Sequence, residues 1–257
     1  MNLIFSFIGG MNMKLFLTSS PSGALDVPNY DKLLDESNGF VDMLKKYWKD
    51  EMKGLIICAD PYNYNGNDEM GDFFTQAFDH SGVKVTSFDL WDYRVSDYSK
   101  ELLHSYDVIM IGGGHVPTQN RYFKDIELKE MIEGYEGIVI GVSAGTMNCA
   151  HIVYAFPEEA GESIDPNYQR FISGLGLTDL NILPHYQMVK NYYLDGVRLY
   201  EDIAYIDSYG HPFLVLEDGS YVYVDNNKSY VFGKSYVLYN GILQEYCENN
   251  DVRLIED

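Results

Sequence analysis

The sequence predicts an α/β protein, with a mostly parallel sheet that carries helices on both faces and a C-terminal antiparallel β-meander. Two observations predict this fold. Over most of the chain, short apolar runs typical of buried strands alternate with segments whose apolar residues recur at helical spacing. From residue 213 onward, short alternating strands follow one another with Asn, Asp and Gly at the turns.

The elements of the parallel part follow from these two patterns. Continuous apolar runs that end in Gly or Asp predict strands at Lys14–Thr18, Gly54–Cys58, Val83–Phe88, Asp107–Ile111 and Gly137–Ile140. Helical spacing predicts helices at Gly39–Lys49, Asp68–His80, Tyr98–Ser105, Tyr122–Tyr135, Thr146–Tyr154 and Asn191–Ile203.

The last part of the chain has a different pattern. The acidic stretch Phe156–Arg170 predicts a surface loop or lid. The meander strands are predicted at Phe213–Leu216, Tyr221–Val224, Tyr230–Phe232, Tyr236–Tyr239 and Ile242–Tyr246. No linker interrupts this succession, so we expect one domain over residues 13–257.

Residues 1–12 are expected to be an N-terminal extension. Leu3–Ile8 is apolar, but it lacks the basic start and the small-residue cleavage site of a signal peptide. It is also far shorter than the ~20 residues of a membrane span.

Composition limits the possible partners and compartment. The 39 acidic and 18 basic residues give a formal charge of −21, which disfavours nucleic acid and anionic membranes as partners. The three cysteines match neither a disulfide framework nor a metal-binding pattern, so we expect the cytoplasm, no metal and no cofactor. The 23 tyrosines are compatible with a monomer or a homodimer.

A candidate nucleophile lies between a predicted strand and a predicted helix. Gly141–Gly145 reads G-x-S-x-G around Ser143, which would lift the hydroxyl clear of the sheet at a helix N-terminus. The Gly112–Gly114 triplet ends the neighbouring strand, where Gly113 and Gly114 could supply a further N–H donor to an oxyanion hole. The alternative is a tight turn in which Ser143 only caps a helix.

A serine needs a base, and the base works best with an orienting acid. His185 follows an apolar strand end and is the first candidate for the base, ahead of His211 and His115. His115 borders the Gly triplet and fits substrate contact better. Glu217, at the end of a predicted meander strand, is the first candidate for the acid. Three other acids remain alternatives: Glu158, Glu159 and Asp179.

These motifs resemble those of the peptidase E (dipeptidase E) and cyanophycinase family of serine peptidases, whose fold is related to class I glutamine amidotransferases. The resemblance extends over roughly residues 13–246. The matching pieces, in chain order, are Gly112–Gly114, Gly141–Gly145, Gly174–Leu177, Pro184–Tyr186 and Leu216–Ser220.

The resemblance implies a serine peptidase that forms an acyl-enzyme on a small peptide. It implies Ser143 as nucleophile, His185 as base, Glu217 as the favoured acid, and N–H groups of Gly113 or Gly114 and of Ala144 as oxyanion donors. Known members prefer an acidic residue on the acyl side and hold it with a basic group. No such group is identified in this sequence, so an N-terminal Asp-X preference stays open.

Two departures and two alternatives accompany the resemblance. His115 stands where the family often has Asn, and Ser rather than Cys at the elbow disfavours glutamine amidotransfer. An esterase of the α/β-hydrolase type would share G-x-S-x-G, but its histidine usually follows the acid. A catalytically inactive or regulatory binding protein on the same fold is the non-enzymatic alternative.

Overall fold

The computed structural model describes residues 13–255 except residues 26 and 227. Its strands, in chain order, are β1 (Lys14–Thr18), β2 (Met52–Ile57), β3 (Val85–Trp91), β4 (Val108–Ile111), β5 (Ile138–Val142), β6 (Ile152–Tyr154), β7 (Phe171–Ser173), β8 (Asn181–Leu183), β9 (Tyr193–Leu194), β10 (Val197–Arg198), β11 (Phe213–Leu216), β12 (Tyr221–Asp225), β13 (Lys228–Phe232), β14 (Ser235–Tyr239), β15 (Ile242–Cys247) and β16 (Val252–Ile255).

Most of the helices are short. The α-helices are α1 (Phe40–Lys45), α2 (Tyr64–His80), α3 (Lys100–Leu103), α4 (Val116–Asp125), α5 (Leu128–Ile132), α6 (Ala144–Asn148), α7 (Tyr186–Val189) and α8 (Tyr205–Asp207). A 3₁₀ turn spans Ser37–Gly39, and a π-helical turn spans Leu199–Ala204. None of the helices among the described residues is long and apolar enough to cross a membrane.

The main sheet has eight strands in the order β16-β13-β12-β1-β5-β4-β2-β3. Strands β1, β5, β4, β2 and β3 pair in parallel, as predicted. Because parallel strands end at the same edge, the residues that follow β1, β4 and β5 meet there. This edge positions the candidate site.

Side-chain alternation divides the core between the two faces of the main sheet. In β5, Ile138 and Ile140 pack on one face, with Phe16 and Ile56, whereas Val139 packs on the other. All are nearly inaccessible to water. Burial on both faces explains the continuous apolar runs of the parallel strands and confirms the α/β prediction.

The C-terminal strands pair antiparallel, as predicted, but they divide between two sheets. β12 and β13 extend the main sheet beside β1. β11, β14 and β15 join β8 in a second sheet of order β15-β14-β11-β8. Within it, β8 and β11 run parallel, so their carboxyl ends lie side by side.

The helix predicted over Asn191–Ile203 is wrong in its first half. The chain there forms the hairpin β9–β10, with Asp195 and Gly196 both at positive φ, 53° and 86°. Asp-Gly is a strong signal for this turn type, and it prevails over apolar residues at helical spacing. The helix predicted over Tyr122–Tyr135 is likewise divided, at Glu127 (φ 55°).

The predicted extension, residues 1–12, lies outside the described residues. The division of the chain into this extension and one domain stays a prediction.

Candidate active site

Ser143 occupies a sharp turn between β5 and α6, as the G-x-S-x-G pattern predicts. Its backbone has φ 51° and ψ −113°, an unusual conformation for a residue other than glycine. Its N–H donates to the Thr18 carbonyl at 3.1 Å, which ties the turn to the end of β1. Strain of this kind persists where the surroundings impose it, and it frequently marks a functional position.

Gly145 allows the turn to pack against the neighbouring strand. A Cβ built on Gly145 would lie 2.0 Å from the Ile111 carbonyl oxygen and 2.8 Å from that of Gly112. These neighbours are backbone atoms of β4 and the loop after it, so they cannot rotate away. Glycine is therefore required sterically at the second G of the motif.

Gly145→Ala is expected to lower the free energy of unfolding by about 3 kcal/mol or more, because the added methyl overlaps fixed backbone. Urea denaturation of the purified variant measures the loss. Gly71→Ala is the matched control. Gly71 lies in helix α2, and a Cβ added there would lie 3.0 Å from the flexible side chain of Leu90. We expect that control to stay within about 1 kcal/mol of wild type. Equal stability of the two variants would contradict the packing argument.

His185 follows β8 and Pro184 and reaches Ser143. Its Nε2 lies 2.7 Å from Ser143 Oγ, a hydrogen-bond distance. The backbone holds a positive φ of 59°, and its N–H donates to Ser19 Oγ at 2.8 Å. The structure thus brings together the two residues that the sequence singles out as nucleophile and base.

Asp218 lies on the other side of the imidazole. Its Oδ1 is 2.6 Å from His185 Nδ1, and its side chain is fully buried. Ser19 Oγ donates to Oδ1 at 2.7 Å, and Gln187 Nε2 donates to Oδ2 at 2.6 Å. Burial by itself would raise the pKa of Asp218. The hydrogen bond and charge of His185, together with hydrogen bonds from Ser19 and Gln187, instead hold this pKa below its usual value. The carboxylate is therefore ionised and fixed in place.

The structure does not bring Glu217 to His185. The Glu217 carboxylate accepts a hydrogen bond from Tyr236 Oη at 2.9 Å. Glu217 thus faces Tyr236 of β14, whereas Asp218, the first residue of the turn after β11, faces His185. The structure therefore places Asp218, and not the predicted Glu217, beside His185, at the strand end that the prediction identified.

Three backbone N–H groups near Ser143 have no acceptor among the described residues. They belong to Gly113, Gly114 and Ala144, the positions predicted as oxyanion donors. A Cβ built on Gly113 would lie 3.2 Å from Ser143 Cβ, so the Gly113 backbone passes directly beside the serine. Free donors at a helix start favour developing negative charge.

His115, predicted to contact substrate, is engaged elsewhere. Its Nε2 lies 2.9 Å from Glu162 Oε1, and its Nδ1 lies 2.8 Å from Thr118 Oγ1. It does not contribute to the described lining of the cavity beside Ser143. His115, Glu159 and Glu162 could together hold a metal ion, with candidate ligand atoms within 4.8 Å of one another. This group contributes no residue to the Ser143–His185–Asp218 chain.

A cavity of about 520 Å³ opens beside Ser143 and His185. Most of its lining is apolar, from loops and helices on both sides of the serine. The apolar side chains that line it include Leu25, Met70, Phe74, Met147, Phe156 and Leu199. The acidic loop, predicted as a lid, contributes Phe156, Pro157 and Glu158 to this lining.

Comparisons with known proteins agree with the fold. At the level of fold, the chain resembles the crystal structure of a peptidase from an acI-B1 Actinobacterium, with TM-score 0.65, 16% identity and coverage of 95% of this chain and 98% of that one. It also resembles a protein assigned as peptidase E from Listeria monocytogenes EGD-e, with TM-score 0.53, 15% identity and coverage of 84% and 96%. No curated protein matches the sequence.

The match to a family model is more informative, because identities this low show the fold alone. The model of peptidase family S51 matches residues 61–231, more than half of the chain and a range that contains Ser143, His185 and Asp218. The chain therefore belongs to peptidase family S51, the serine peptidases of the peptidase E type.

Proposed function

We propose that the protein hydrolyses a peptide bond of a small peptide with Ser143 as nucleophile, His185 as general base and Asp218 as the orienting acid. The observation that carries the proposal is the hydrogen-bonded chain from Ser143 Oγ through His185 to Asp218, with steps of 2.7 and 2.6 Å. A nucleophile, a base and an orienting group within hydrogen-bond reach are what acyl transfer requires.

In the first half of the reaction, Ser143 Oγ attacks the carbonyl carbon and passes its proton to His185 Nε2. The oxyanion accepts hydrogen bonds from the free N–H groups of Gly113 or Gly114 and of Ala144. As the C–N bond breaks, His185 returns the proton to the leaving amine, which leaves an acyl-enzyme on Ser143. Asp218 stabilises the imidazolium and keeps its Nδ1–H directed inward.

In the second half, water takes the place of the amine. His185 removes a proton from the water, whose oxygen attacks the ester carbonyl and forms a second tetrahedral intermediate. When the intermediate collapses, Ser143 Oγ leaves and recovers its proton from His185. The products are a carboxylic acid, an amine and the regenerated enzyme.

The size of the cavity supports a short substrate. A volume of about 520 Å³ lies in the range of small-ligand pockets and accommodates a few residues rather than a folded chain. We therefore propose an exopeptidase or dipeptidase. The cytoplasm is the proposed compartment, supported by three buried free cysteines. A monomer or a homodimer, and the absence of nucleic acid as a partner, stay predictions.

The order of the site residues bears on the esterase alternative. Ser143, His185 and Asp218 follow one another as Ser…His…Asp, whereas α/β-hydrolases have the order Ser…Asp/Glu…His. The complete hydrogen-bonded chain likewise argues against an inactive binding protein, because binding alone does not require Ser143, His185 and Asp218 to be hydrogen-bonded to one another.

A fluorophosphonate tests the nucleophile without knowledge of the substrate. We expect the reagent to modify Ser143 covalently, because only a serine activated by a base attacks the phosphorus readily. Peptide mass spectrometry of the labelled protein identifies the modified residue. Ser143→Ala should remain unlabelled. Labelling of another serine, or equal labelling of the variant, would contradict the proposed nucleophile.

A further inference from the structure

The charge of the substrate cavity does not suit an acidic side chain. Apart from His185, the described residues that line it include one acidic side chain, Glu158, and neither Lys nor Arg. A substrate carboxylate placed there would lose water without gaining a cationic partner, and it would face Glu158. Burial of an unpaired charge is strongly unfavourable.

The apolar lining favours an uncharged substrate side chain. Phe74 and Phe156 offer aromatic surface, and Met70 and Met147 offer flexible thioethers that adapt to different shapes. Each apolar group of a ligand that is removed from water against these side chains adds to binding. The cavity thus has the composition of a hydrophobic specificity pocket.

Glu158 stands out in this lining because its carboxyl has no hydrogen-bond partner among the described residues. It takes part in none of the side-chain hydrogen bonds among the described residues, although its backbone N–H donates to Glu162 Oε2 at 2.9 Å. The neighbouring N–H of Glu159 donates to the same oxygen at 3.0 Å. These two bonds fix the loop that presents Glu158 to the cavity.

The surroundings of Glu158 favour the approach of a cation. Glu158 is exposed at the cavity rim, yet the protein around its carboxyl, and then the Glu162 and Glu159 carboxylates, raise its pKa to about 8. The raised pKa favours the protonated carboxyl while the cavity is empty, and a cation beside Glu158 would stabilise the ionised form. The Ser20 hydroxyl, also in the lining, is buried and has no hydrogen-bond partner in the part of the chain that the structure describes.

We propose that the cavity takes peptides with an apolar residue on the acyl side of the cut bond, and that Glu158 pairs with their free α-ammonium group. The proposal rests on the proposed peptidase function. Every short peptide with a free N-terminus carries an α-ammonium cation next to its first peptide bond, independent of its side chains. Glu158 supplies the matching anion, and the apolar lining receives the side chain.

The test compares four dipeptides, Leu-Leu, Phe-Leu, Asp-Leu and Lys-Leu, together with N-acetyl-Leu-Leu. For the wild-type protein we expect kcat/KM of Leu-Leu and Phe-Leu to exceed that of Asp-Leu and Lys-Leu by about 100-fold or more. Acetylation removes the ammonium and should lower kcat/KM of Leu-Leu by about 10-fold or more. Faster hydrolysis of Asp-Leu than of Leu-Leu would overturn the proposed substrate class.

Variants of adjacent residues separate Glu158 from its neighbour. Glu158→Gln should lower kcat/KM of Leu-Leu by about 10-fold and leave that of N-acetyl-Leu-Leu unchanged. Glu159→Gln, next in the chain but outside the cavity lining, removes a carboxylate that opposes ionisation of Glu158, so it should not lower kcat/KM of either peptide. An equal loss on both peptides in Glu158→Gln, or no loss on either, would overturn the role of Glu158.

A variant that adds a cation to the cavity should gain activity on a peptide with an acidic first residue, which tests the proposed apolar preference. Tyr192 lines the cavity and is 56% exposed, so Tyr192→Arg adds a cation without disturbing the core. We expect the ratio of kcat/KM for Asp-Leu over Leu-Leu to rise about 10-fold or more. Tyr193→Arg, at a neighbouring exposed residue outside the lining, should leave the ratio unchanged.

Failure of this proposal and failure of the proposed function give different results. If no peptide is hydrolysed, the proposed substrate class is overturned, and fluorophosphonate labelling then decides whether the nucleophile fails with it. Labelled Ser143 together with preferred cleavage of Asp-Leu would keep the peptidase mechanism and reject the apolar pocket.

Discussion

Ser143→Ala is expected to lower kcat of peptide hydrolysis by about 10⁴-fold or more, because no acyl-enzyme can form without the hydroxyl. His185 Nε2, 2.7 Å from Ser143 Oγ in the wild-type protein, then has no nucleophile to activate. The residual rate would come from the oxyanion donors and from binding alone. Steady-state kinetics on the best dipeptide measures the change in kcat.

Ser105→Ala is the matched control for this prediction. Ser105 is exposed and lies just before β4, at the opposite end of the sheet from the candidate site. We expect wild-type kcat for this variant, and unchanged thermal unfolding for both. Activity of Ser143→Ala within 10-fold of wild type would mean that another group attacks the substrate.

Asp218→Asn is expected to lower kcat by about 10⁴-fold with little change in KM, because the variant loses the charge that stabilises the imidazolium. An amide that turns its NH₂ toward His185 Nδ1 would also favour the wrong tautomer, with the proton on Nε2. The wild-type carboxylate accepts hydrogen bonds from Ser19 and Gln187, which fix its orientation toward His185. Steady-state kinetics at fixed pH measures kcat and KM.

Glu217→Gln provides a control one residue away. Its partner is the Tyr236 hydroxyl, a bond that glutamine can keep, so we expect kcat within about threefold of wild type. The pair of variants also decides between the two acids considered for the site. A 10⁴-fold loss in Glu217→Gln and a normal rate in Asp218→Asn would reverse the assignment of the acid made from the structure.

Local patterns in the sequence were sufficient to predict the strands of the parallel sheet and the serine turn. Burial on both faces produces continuous apolar runs, and a turn that packs against backbone requires small residues such as Gly145. Such constraints act between residues that are close in the chain. The pairing of Ser143 with His185 was predicted from strand ends and family motifs, since the two residues are 42 positions apart, and the structure places His185 Nε2 2.7 Å from Ser143 Oγ.

The remaining features depended on contacts that no local pattern records. Asp218 rather than Glu217 faces His185: the parallel pairing of β8 with β11 brings the two strand ends together, and the turn after β11 directs the Asp218 carboxylate to the imidazole. The cavity is likewise assembled from distant segments, so its apolar character and the position of Glu158 emerge only in the folded chain.

The sequence by itself therefore determined the α/β class, the serine turn and the histidine at a strand end, because each is specified by the spacing of neighbouring residues. Only the tertiary structure decided which carboxylate orients His185 and where His115 lies, at Glu162 instead of in the cavity. Strand pairing and loop packing join residues far apart in the chain, and these contacts set side-chain directions that spacing alone leaves open.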